Sequence, residues 1–374
     1  MNDILVIGAG YTGMMAAHGI AHRNRDARVT LLNPTDRFDE RLRQHQVAAG
    51  QELGDHRIPD LVAPAGIRFV EGRAAAIDPA ARRVVLTDER ELRYDFLVYA
   101  IGSATRKVKG AFTIDDPLLA GRLRERPDGT LTVCGAGLTG IEAATEIAEA
   151  YPRMRVRLLS RGEPGSMMGP KAKAHLMRAL DRLGVEVRTG ATVAEVAPEA
   201  VVLEGGERIP TDTALWTTGV RVAPLAAEAG IATDDTGRVL VDAALRSVSH
   251  PEIYAIGDAA AIRQAYGVIH GTCQSGIPSA AHAAESITRR LRGKEPKPFR
   301  FGYIHQPVSL GRKDAVIQFT NADDTPSRWY LKGKAAIAYK EAVSGSPLKF
   351  YRSRRAIPAR MTGRTGGRRN RLAA

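Results

Sequence analysis

Residues 4–13 read Ile-Leu-Val-Ile-Gly-Ala-Gly-Tyr-Thr-Gly, and the interpretation of the whole chain starts from them. A short apolar run that ends in glycine is typical of a buried parallel strand. The glycines have the spacing Gly8-x-Gly10-x-x-Gly13, and the residues after them predict a helix. Such a turn brings the free N–H groups of a helix N-terminus to a pyrophosphate. The stretch therefore predicts a dinucleotide site, although a single loop of this kind also occurs in turns that serve packing alone.

A second copy of the pattern lies near the middle of the chain. Residues 131–140 read Leu-Thr-Val-Cys-Gly-Ala-Gly-Leu-Thr-Gly, with the same glycine spacing. In both copies another apolar strand follows, and it ends 20 residues after the last glycine, at Asn33 and at Ser160. Because the strand, the turn and the following strand are all repeated, we infer that one unit is used twice and that the chain binds two nucleotides.

Length and composition narrow the class of protein. A chain of 374 residues predicts two or three domains, and a hydrophobic fraction of 44% is ordinary for a soluble globular protein. No apolar run approaches about 18 residues, so no membrane-spanning helix is predicted. The first strand begins at Ile4 and leaves no room for a cleaved signal peptide. Together these features predict a cytoplasmic protein.

Cysteine and charge give further limits. The two cysteines, Cys134 and Cys273, provide neither a disulfide framework nor a metal-binding or redox Cys-x-x-Cys motif, so no metal site is predicted. From Ser346 onward there are nine basic residues and no acidic residue. This composition predicts a basic, disordered tail over residues 346–374. Attraction of the tail to anionic lipid, at the inner face of the membrane, is a second interpretation, and binding to nucleic acid is disfavoured.

The remaining strands and helices are expected at five places. Residues 72–102 predict a small antiparallel meander followed by a buried strand. Residues 253–258 form another apolar strand that ends in Gly257-Asp258, and a helix is expected around residues 279–287. Two strand-like pieces follow at residues 315–320 and 335–339.

The two glycine loops and the later Gly257-Asp258 together resemble the two-dinucleotide-binding-domain flavoproteins, whose fold is that of the pyridine nucleotide-disulphide oxidoreductases. The resemblance covers nearly all of residues 1–345. It implies an α/β fold with two Rossmann-like domains, the second inserted in the first. The implied FAD-binding domain comprises residues 1–110 and 242–300, the NAD(P)H-binding domain residues 111–241, and a small C-terminal α+β domain residues 301–345.

The resemblance also assigns the cofactor-binding residues. It implies that FAD contacts Gly8, Gly10, Gly13, Gly102, Gly257 and Asp258, the last through the ribityl chain. It implies that the pyridine nucleotide contacts Gly135, Gly137, Gly140 and Gly219. Asn33 stands where an acid commonly holds the FAD ribose, and a hydrogen bond to a hydroxyl group and plain turn chemistry are equally supported.

The second nucleotide is expected to be NADPH slightly more than NADH. The strand of the second unit ends in Ser160-Arg161, with no acid to accept a hydrogen bond from a ribose 2′-hydroxyl group. An arginine at this place can pair with a 2′-phosphate group instead. The alternative is a solvated arginine in a surface turn.

Two residues are candidates for catalysis. Residues 140–143 and 216–219 look most like type II NADH dehydrogenases and relatives of apoptosis-inducing factor, which implies that Glu142 lies close to the nicotinamide and the flavin. A glutamate in the first turn of a helix is also stabilised by the helix dipole alone. Gln274 matches the first glutamine of the quinone motif of those dehydrogenases, whereas Cys273, Gly276 and Pro278 depart from that motif.

The predicted function is therefore that of a FAD-dependent NAD(P)H dehydrogenase that passes electrons to a quinone or another small acceptor. One alternative is a reductase that acts on a dedicated organic substrate or on a ferredoxin-like partner. Another is a non-catalytic sensor of nucleotide redox state, of the apoptosis-inducing-factor type. A homodimer is also considered. His45, in a predicted polar helix, could approach the flavin, but the interpretation as a surface or core histidine is favoured.

Overall fold

The structure, a computed structural model, describes residues 1–352. Its first part builds a parallel sheet from the first glycine loop onward. The elements are β1 (Asp3–Ile7), α1 (Tyr11–Arg23), β2 (Arg28–Asn33), α2 (Gln44–Ala48), α3 (Ile58–Val62), β3 (Arg68–Glu71), β4 (Ala74–Asp78), β5 (Arg83–Leu86), β6 (Glu91–Arg93) and β7 (Phe96–Tyr99). The predicted meander is confirmed as the antiparallel sheet β4-β5-β6.

The second part repeats this plan after a short crossing. The elements are β8 (Ala104–Thr105), β9 (Phe112–Thr113), α4 (Leu119–Glu125), β10 (Thr130–Cys134), α5 (Leu138–Ala150), β11 (Arg155–Leu159), α6 (Pro170–Arg182), β12 (Glu186–Arg188), β13 (Val193–Ala197), β14 (Ala200–Leu203), β15 (Arg208–Pro210) and β16 (Thr213–Trp216). The parallel sheet has the order β12-β11-β10-β16-β9, and β13-β14-β15 is its antiparallel meander.

The chain then returns to the first sheet. The elements are β17 (Val220–Arg221), α7 (Leu225–Glu228), β18 (Val239–Leu240), β19 (Ile253–Ala255), β20 (Ala260–Ala261), β21 (Arg263–Gln264), β22 (Gly267–Val268) and α8 (Cys273–Leu291). Strand β19 pairs with β7 in parallel, so the first sheet has the order β19-β7-β1-β2-β3. The second sheet is thus inserted between two strands of the first, as the resemblance implied, and α1 packs against α8.

The last elements are β23 (His305–Ser309), β24 (Ala315–Thr320), β25 (Pro326–Lys332) and α9 (Gly333–Tyr351). The three strands form one antiparallel sheet. The strand predicted over residues 335–339 is wrong, because these residues belong to α9. Alanine favours a helix, and the packing of α9 on β24 overrides the short apolar run.

Helix α9 also bears on the predicted tail. It continues to Tyr351, past the predicted start of the tail at Ser346, while residues 353–374 lie outside the described residues. The predicted disordered tail is therefore wrong for residues 346–351, which are helical. The predicted domain boundary at residue 345 falls inside this helix, and the other domain boundaries stay predictions. In the part of the chain that the structure describes, no helix is both long and apolar enough to cross a bilayer.

Candidate active site

The first glycine loop is tightly packed at two glycines and open at the third. Gly8 has a φ of +96°, and a Cβ atom on it would lie 2.4 Å from the carbonyl oxygen of Ala100. A Cβ atom on Gly13 would lie 1.8 Å from the carbonyl oxygen of Gly8, so α1 packs directly on the turn. A Cβ atom on Gly10 would meet nothing within 4 Å. This space lies at the N-terminus of α1, which no side chain caps, and it fits a phosphate group.

Asn33, at the end of β2, uses its side chain within this loop. Its Oδ1 atom accepts a hydrogen bond of 2.9 Å from the backbone N–H of Ala9. Its Nδ2 atom donates a hydrogen bond of 2.9 Å to the carbonyl oxygen of Thr35. These contacts fit the turn interpretation, and the contact with a ribose stays a prediction.

Gly102 and Asp258 come together beside the first loop. Ser103, directly after Gly102, donates a hydrogen bond of 2.7 Å from its hydroxyl group to Oδ2 of Asp258. A Cβ atom on Gly257 would lie 2.9 Å from the hydroxyl oxygen of Thr12, so the turn that carries Asp258 touches the start of α1. The structure thus brings the predicted FAD residues of three distant segments together.

The second glycine loop has the same local geometry as the first. A Cβ atom on Gly140 would lie 1.8 Å from the carbonyl oxygen of Gly135, and one on Gly135 would lie 2.1 Å from Cγ2 of Thr218. A Cβ atom on Gly137 would meet nothing within 4 Å. Gly219 follows Thr218 with a φ of +72°. The two loops therefore each leave an open space, here called a cradle, at Gly10 at the start of α1 and at Gly137 at the start of α5.

Ser160 and Arg161 lie at the carboxyl end of β11, beside the second cradle in the sheet. The backbone N–H of Ser160 donates to the carbonyl oxygen of Arg188 at 2.9 Å. Arg161 is exposed and makes no ion pair with any other described residue. The acid that follows it, Glu163, is already paired with Lys173. The cation of Arg161 is thus available to an anionic ligand.

Glu142 lies in the second turn of α5, and not in the first turn as the sequence predicted; it is the largely buried acid of the site. Its Oε1 atom accepts a hydrogen bond from Lys340 of α9 and another, of 3.0 Å, from the backbone N–H of Ser309. Its Oε2 atom lies 3.8 Å from Nδ1 of His45. One carboxylate oxygen is therefore fully occupied, while the other keeps its capacity to accept a hydrogen bond.

The protonation states of this cluster follow from its burial and its charges. Burial opposes the charged form of Glu142, but the charge and hydrogen bond of Lys340, together with the other groups around the carboxylate, lower the pKa of Glu142. Burial lowers the pKa of His45 to about 4. His45 is therefore neutral at pH 7, and its contact with Glu142 is not an ion pair. The prediction that His45 is a surface or core histidine holds in part, because it is buried but lies against the site.

Gln274, the other candidate for catalysis, is fixed by backbone contacts at the start of α8. Its Oε1 atom accepts hydrogen bonds from the N–H groups of Ile304, at 2.6 Å, and His305, at 3.2 Å. Its Nε2 atom donates to the carbonyl oxygen of His305 at 2.9 Å. The amide thus joins α8 to β23, and its role toward an electron acceptor stays a prediction.

Neither cysteine has the environment of a redox thiol. Burial raises the pKa of Cys273 to about 11, and the nearby carboxylate of Asp258 adds to this effect. Burial likewise raises the pKa of Cys134. Among residues 1–352, no three His, Cys, Asp or Glu side chains are grouped in a way that could hold a metal ion.

Sequence reasoning missed several residues of the site. Lys340 and Ser309, which hold Glu142, lie far from it in the chain and belong to no motif. Arg41 donates a hydrogen bond to the carbonyl oxygen of Ser103, so it too lies beside Asp258. No signal in the sequence marks these three residues, because each depends on a long-range contact.

Comparison with known proteins agrees with this arrangement. The family model described as pyridine nucleotide-disulphide oxidoreductase matches residues 2–286. The chain belongs to this family. It is an oxidoreductase with two Rossmann-like domains, as the family resemblance implied.

Individual relatives narrow the comparison. An NADH dehydrogenase-like protein of Mycobacterium tuberculosis is 32% identical over 360 residues, which cover 84% of this chain and 87% of the relative. A demethylphylloquinone reductase of Synechocystis is 25% identical, over 84% of this chain and 86% of that protein. The crystal structure of the sulfide:quinone oxidoreductase of Aquifex aeolicus has a TM-score of 0.84 at 18% identity, over 96% of this chain and 94% of that one, and shows the shared fold.

Proposed function

We propose that this chain is a FAD-dependent NAD(P)H dehydrogenase that passes electrons to a quinone or another small oxidised acceptor. The proposal rests on the two open cradles at Gly10 and Gly137. Each cradle lies between a strand of one parallel sheet and the helix that follows that strand. A single cradle would serve one dinucleotide, whereas two are what a relay from a pyridine nucleotide to a flavin needs. The names of the mycobacterial and cyanobacterial relatives, a dehydrogenase and a quinone reductase, support the same reaction.

The first unit has the residues to hold FAD. The Gly10 cradle would receive the pyrophosphate, and Asp258, oriented by Ser103, would accept hydrogen bonds from the ribityl chain. When bound, the flavin supplies the redox chemistry, since it accepts a hydride and returns electrons to an acceptor. The protein supplies the binding and the orientation.

The second unit has the residues to bind and orient the reduced nucleotide. The Gly137 cradle would receive its pyrophosphate, and Glu142 lies one helical turn further along α5. Because Lys340 keeps Glu142 ionised, its Oε2 atom would accept a hydrogen bond from the nicotinamide amide group. NADPH is favoured over NADH, because Arg161, which has no ion-pair partner among residues 1–352, would bind a 2′-phosphate group through charge-assisted hydrogen bonds.

The acceptor is proposed to bind at the start of α8. Among the described residues, the Nε2 atom of Gln274 donates one hydrogen bond, to His305, and an amide nitrogen carries two hydrogens. The second hydrogen is free to donate to a quinone carbonyl group. Formation of a homodimer and contact of the basic tail with anionic lipid at the inner face of the membrane stay proposals from the sequence.

Anaerobic stopped-flow absorbance of the FAD-loaded protein tests the proposal. Mixing with NADPH should bleach the flavin band rapidly, and mixing with NADH should do so more slowly. A second mix with a soluble quinone such as menadione should restore the band. Bleaching without recovery would refute the quinone acceptor and would favour a dedicated substrate or a sensor. A protein that cannot be loaded with FAD would refute the proposal itself.

A further inference from the structure

Three consecutive residues of helix α9 contact three different parts of the molecule. The hydroxyl group of Tyr339 lies 2.6 Å from Nδ1 of His305, in the C-terminal sheet. Lys340 forms an ion pair with Glu142, in the second dinucleotide unit. Glu341 turns toward the first dinucleotide unit. Successive residues of a helix point about 100° apart, so one turn of α9 reaches all three parts at the same level.

The contact of Glu341 with the first unit is a direct ion pair. Its Oε2 atom lies 2.7 Å from Nη2 of Arg43, in the short turn that precedes α2. Both side chains are partly buried, since Arg43 is 21% and Glu341 is 35% exposed. Burial opposes the charged form of Glu341, but the hydrogen bond from Arg312 and the charge of Arg43 lower its pKa. The pair is therefore ionised at neutral pH.

This ion pair is the middle of a longer chain of charges. Arg43 also lies 3.4 Å from Glu40 of the first unit. On the other side, Arg312 lies 3.0 Å from Glu341 and 3.7 Å from Glu146, on helix α5 of the second unit. The alternating network thus starts on one dinucleotide unit, passes through α9 and ends on the other. Charges in such a network support one another more than isolated surface pairs do.

The end of α9 is fixed to the first unit as well. The hydroxyl group of Tyr351, which is 1% exposed, donates a hydrogen bond of 2.8 Å to the carbonyl oxygen of Tyr11. Tyr11 is the residue directly after Gly10, the open position of the first cradle. Helix α9 therefore spans from the FAD cradle to the acid of the second unit.

We propose that Arg43 and Glu341 are positioning residues for hydride transfer. Through α9 and Lys340 they hold Glu142, and with it the nicotinamide that Glu142 would orient, at a fixed distance from the flavin-binding unit. The inference rests on the proposed function, in which the nicotinamide gives up a hydride, with its two electrons, to the flavin. Reacting atoms must approach to about 3–3.5 Å, and a misplacement of about 1 Å can cost about a hundredfold in rate.

A double-mutant cycle on the FAD-loaded protein tests the inference. The rate of flavin reduction is measured by anaerobic stopped flow at saturating nucleotide for wild type, Glu341→Gln, Arg43→Met and the double variant. Each single variant should reduce the rate about tenfold. The double variant should be no slower than the slower single variant, because both remove the same link. The nucleotide concentration at half-maximal rate and the FAD content should stay as in the wild type.

The matched control is Glu91→Gln, which removes a carboxylate from the exposed Arg83–Glu91 pair, at 2.6 Å, in the small meander of the first unit. Its rate should equal that of the wild type. A second readout is the rate with nucleotide deuterated at the transferred position. The deuterium effect should persist in Glu341→Gln, since hydride transfer itself is slowed.

Several results would overturn the inference. These are a rate in Glu341→Gln within twofold of the wild type, additive effects in the double variant, or a slow rate that is explained by lost FAD. If Glu341→Gln does not fold, Arg43→Lys tests the same link, because it keeps the charge but loses the planar fork. An unchanged rate in Arg43→Lys would also overturn the inference, and about a threefold decrease would support it. Absence of flavin reduction in the wild type would instead refute the proposed function.

Discussion

Lys340, on the C-terminal helix, forms an ion pair with Glu142, in the second turn of the helix that follows the second glycine loop. The two side chains are 10% and 14% exposed, so each charge depends on the other. Removing one partner of a buried pair leaves an unpaired charge and costs about 3–5 kcal/mol. We therefore expect Glu142→Gln and Lys340→Met each to lower the free energy of unfolding by about 3 kcal/mol.

The double variant Glu142→Gln/Lys340→Met should lose much less than the sum of the two single losses, because it leaves no unpaired charge. Urea unfolding of the FAD-loaded proteins provides the measurement. Strictly additive losses would contradict the prediction. The same variants distinguish an effect on stability from an effect on the rate of flavin reduction. The double variant should recover stability, whereas its rate of flavin reduction should stay low.

Substitutions at the two open glycines should each weaken the binding of a different ligand. Gly10→Ala and Gly137→Ala each place a methyl group in open space, so both variants should fold with the stability of the wild-type apoprotein. Because the methyl group occupies the place of a phosphate, Gly10→Ala should lose FAD. Gly137→Ala should keep FAD and raise the KM for the nucleotide about tenfold or more. The ratio of flavin to protein absorbance and steady-state kinetics give the two readouts.

Gly13→Ala is the comparison variant for the same loop. Its methyl group would lie 1.8 Å from the carbonyl oxygen of Gly8, so it should destabilise the protein itself and not only FAD binding. If Gly10→Ala lowered the stability of the apoprotein as much as Gly13→Ala, the space at Gly10 would not be open.

Arg161 should determine the choice between NADPH and NADH. A hydrogen bond to a charged group contributes about 1.5–3 kcal/mol, so Arg161→Ala should lower kcat/KM for NADPH about tenfold to a hundredfold and leave the value for NADH unchanged. Arg153→Ala, at an exposed position between α5 and β11, is the control and should change neither value. An equal decrease for both nucleotides in Arg161→Ala would show that the arginine contacts no 2′-phosphate group.

The sequence predicted the parts of the molecule that depend on local pattern. The glycine spacings and the strand after each loop predicted both parallel sheets, whereas the insertion of one unit in the other was implied by the family resemblance. These features are local, because each glycine is required by its own turn and each strand by its own apolar run.

The contacts that complete the site could not be predicted in this way. The Lys340–Glu142 pair joins residues 198 positions apart, and Lys340 lies in no motif. The error at residues 335–339 has the same origin, since a short apolar run suits a strand or a helix and only the packing on β24 decides. Gln274 was assigned by its motif, whereas its amide bonds to β23 depend on a strand that begins about thirty residues later.

Buried histidines should make the stability of the protein depend on pH. Burial lowers the pKa of His18, on α1, to about 4. The ring is 6% exposed and stacks on Tyr351 at a centroid distance of 5.6 Å. In the unfolded chain a histidine has a pKa of about 6.5. Between these values the unfolded state binds a proton that the folded state does not, so stability is present above about pH 6.5 and is lost as the pH falls toward about 4.

The His18→Phe variant keeps an aromatic ring against Tyr351, but this ring cannot bind a proton. A proton that only the unfolded state binds changes the free energy of unfolding by about 1.4 kcal/mol per pH unit. Between pH 6 and pH 5 the free energy of unfolding should therefore fall by about this amount less in the variant than in the wild type. Urea unfolding at several pH values provides the measurement, and His22→Phe, at an exposed position of the same helix, is the control with the wild-type slope. Parallel curves for wild type and His18→Phe would mean that His18 is already charged in the folded protein. That result would contradict the burial of its imidazole against Tyr351, the residue that fixes the end of α9 to Tyr11 beside the first cradle.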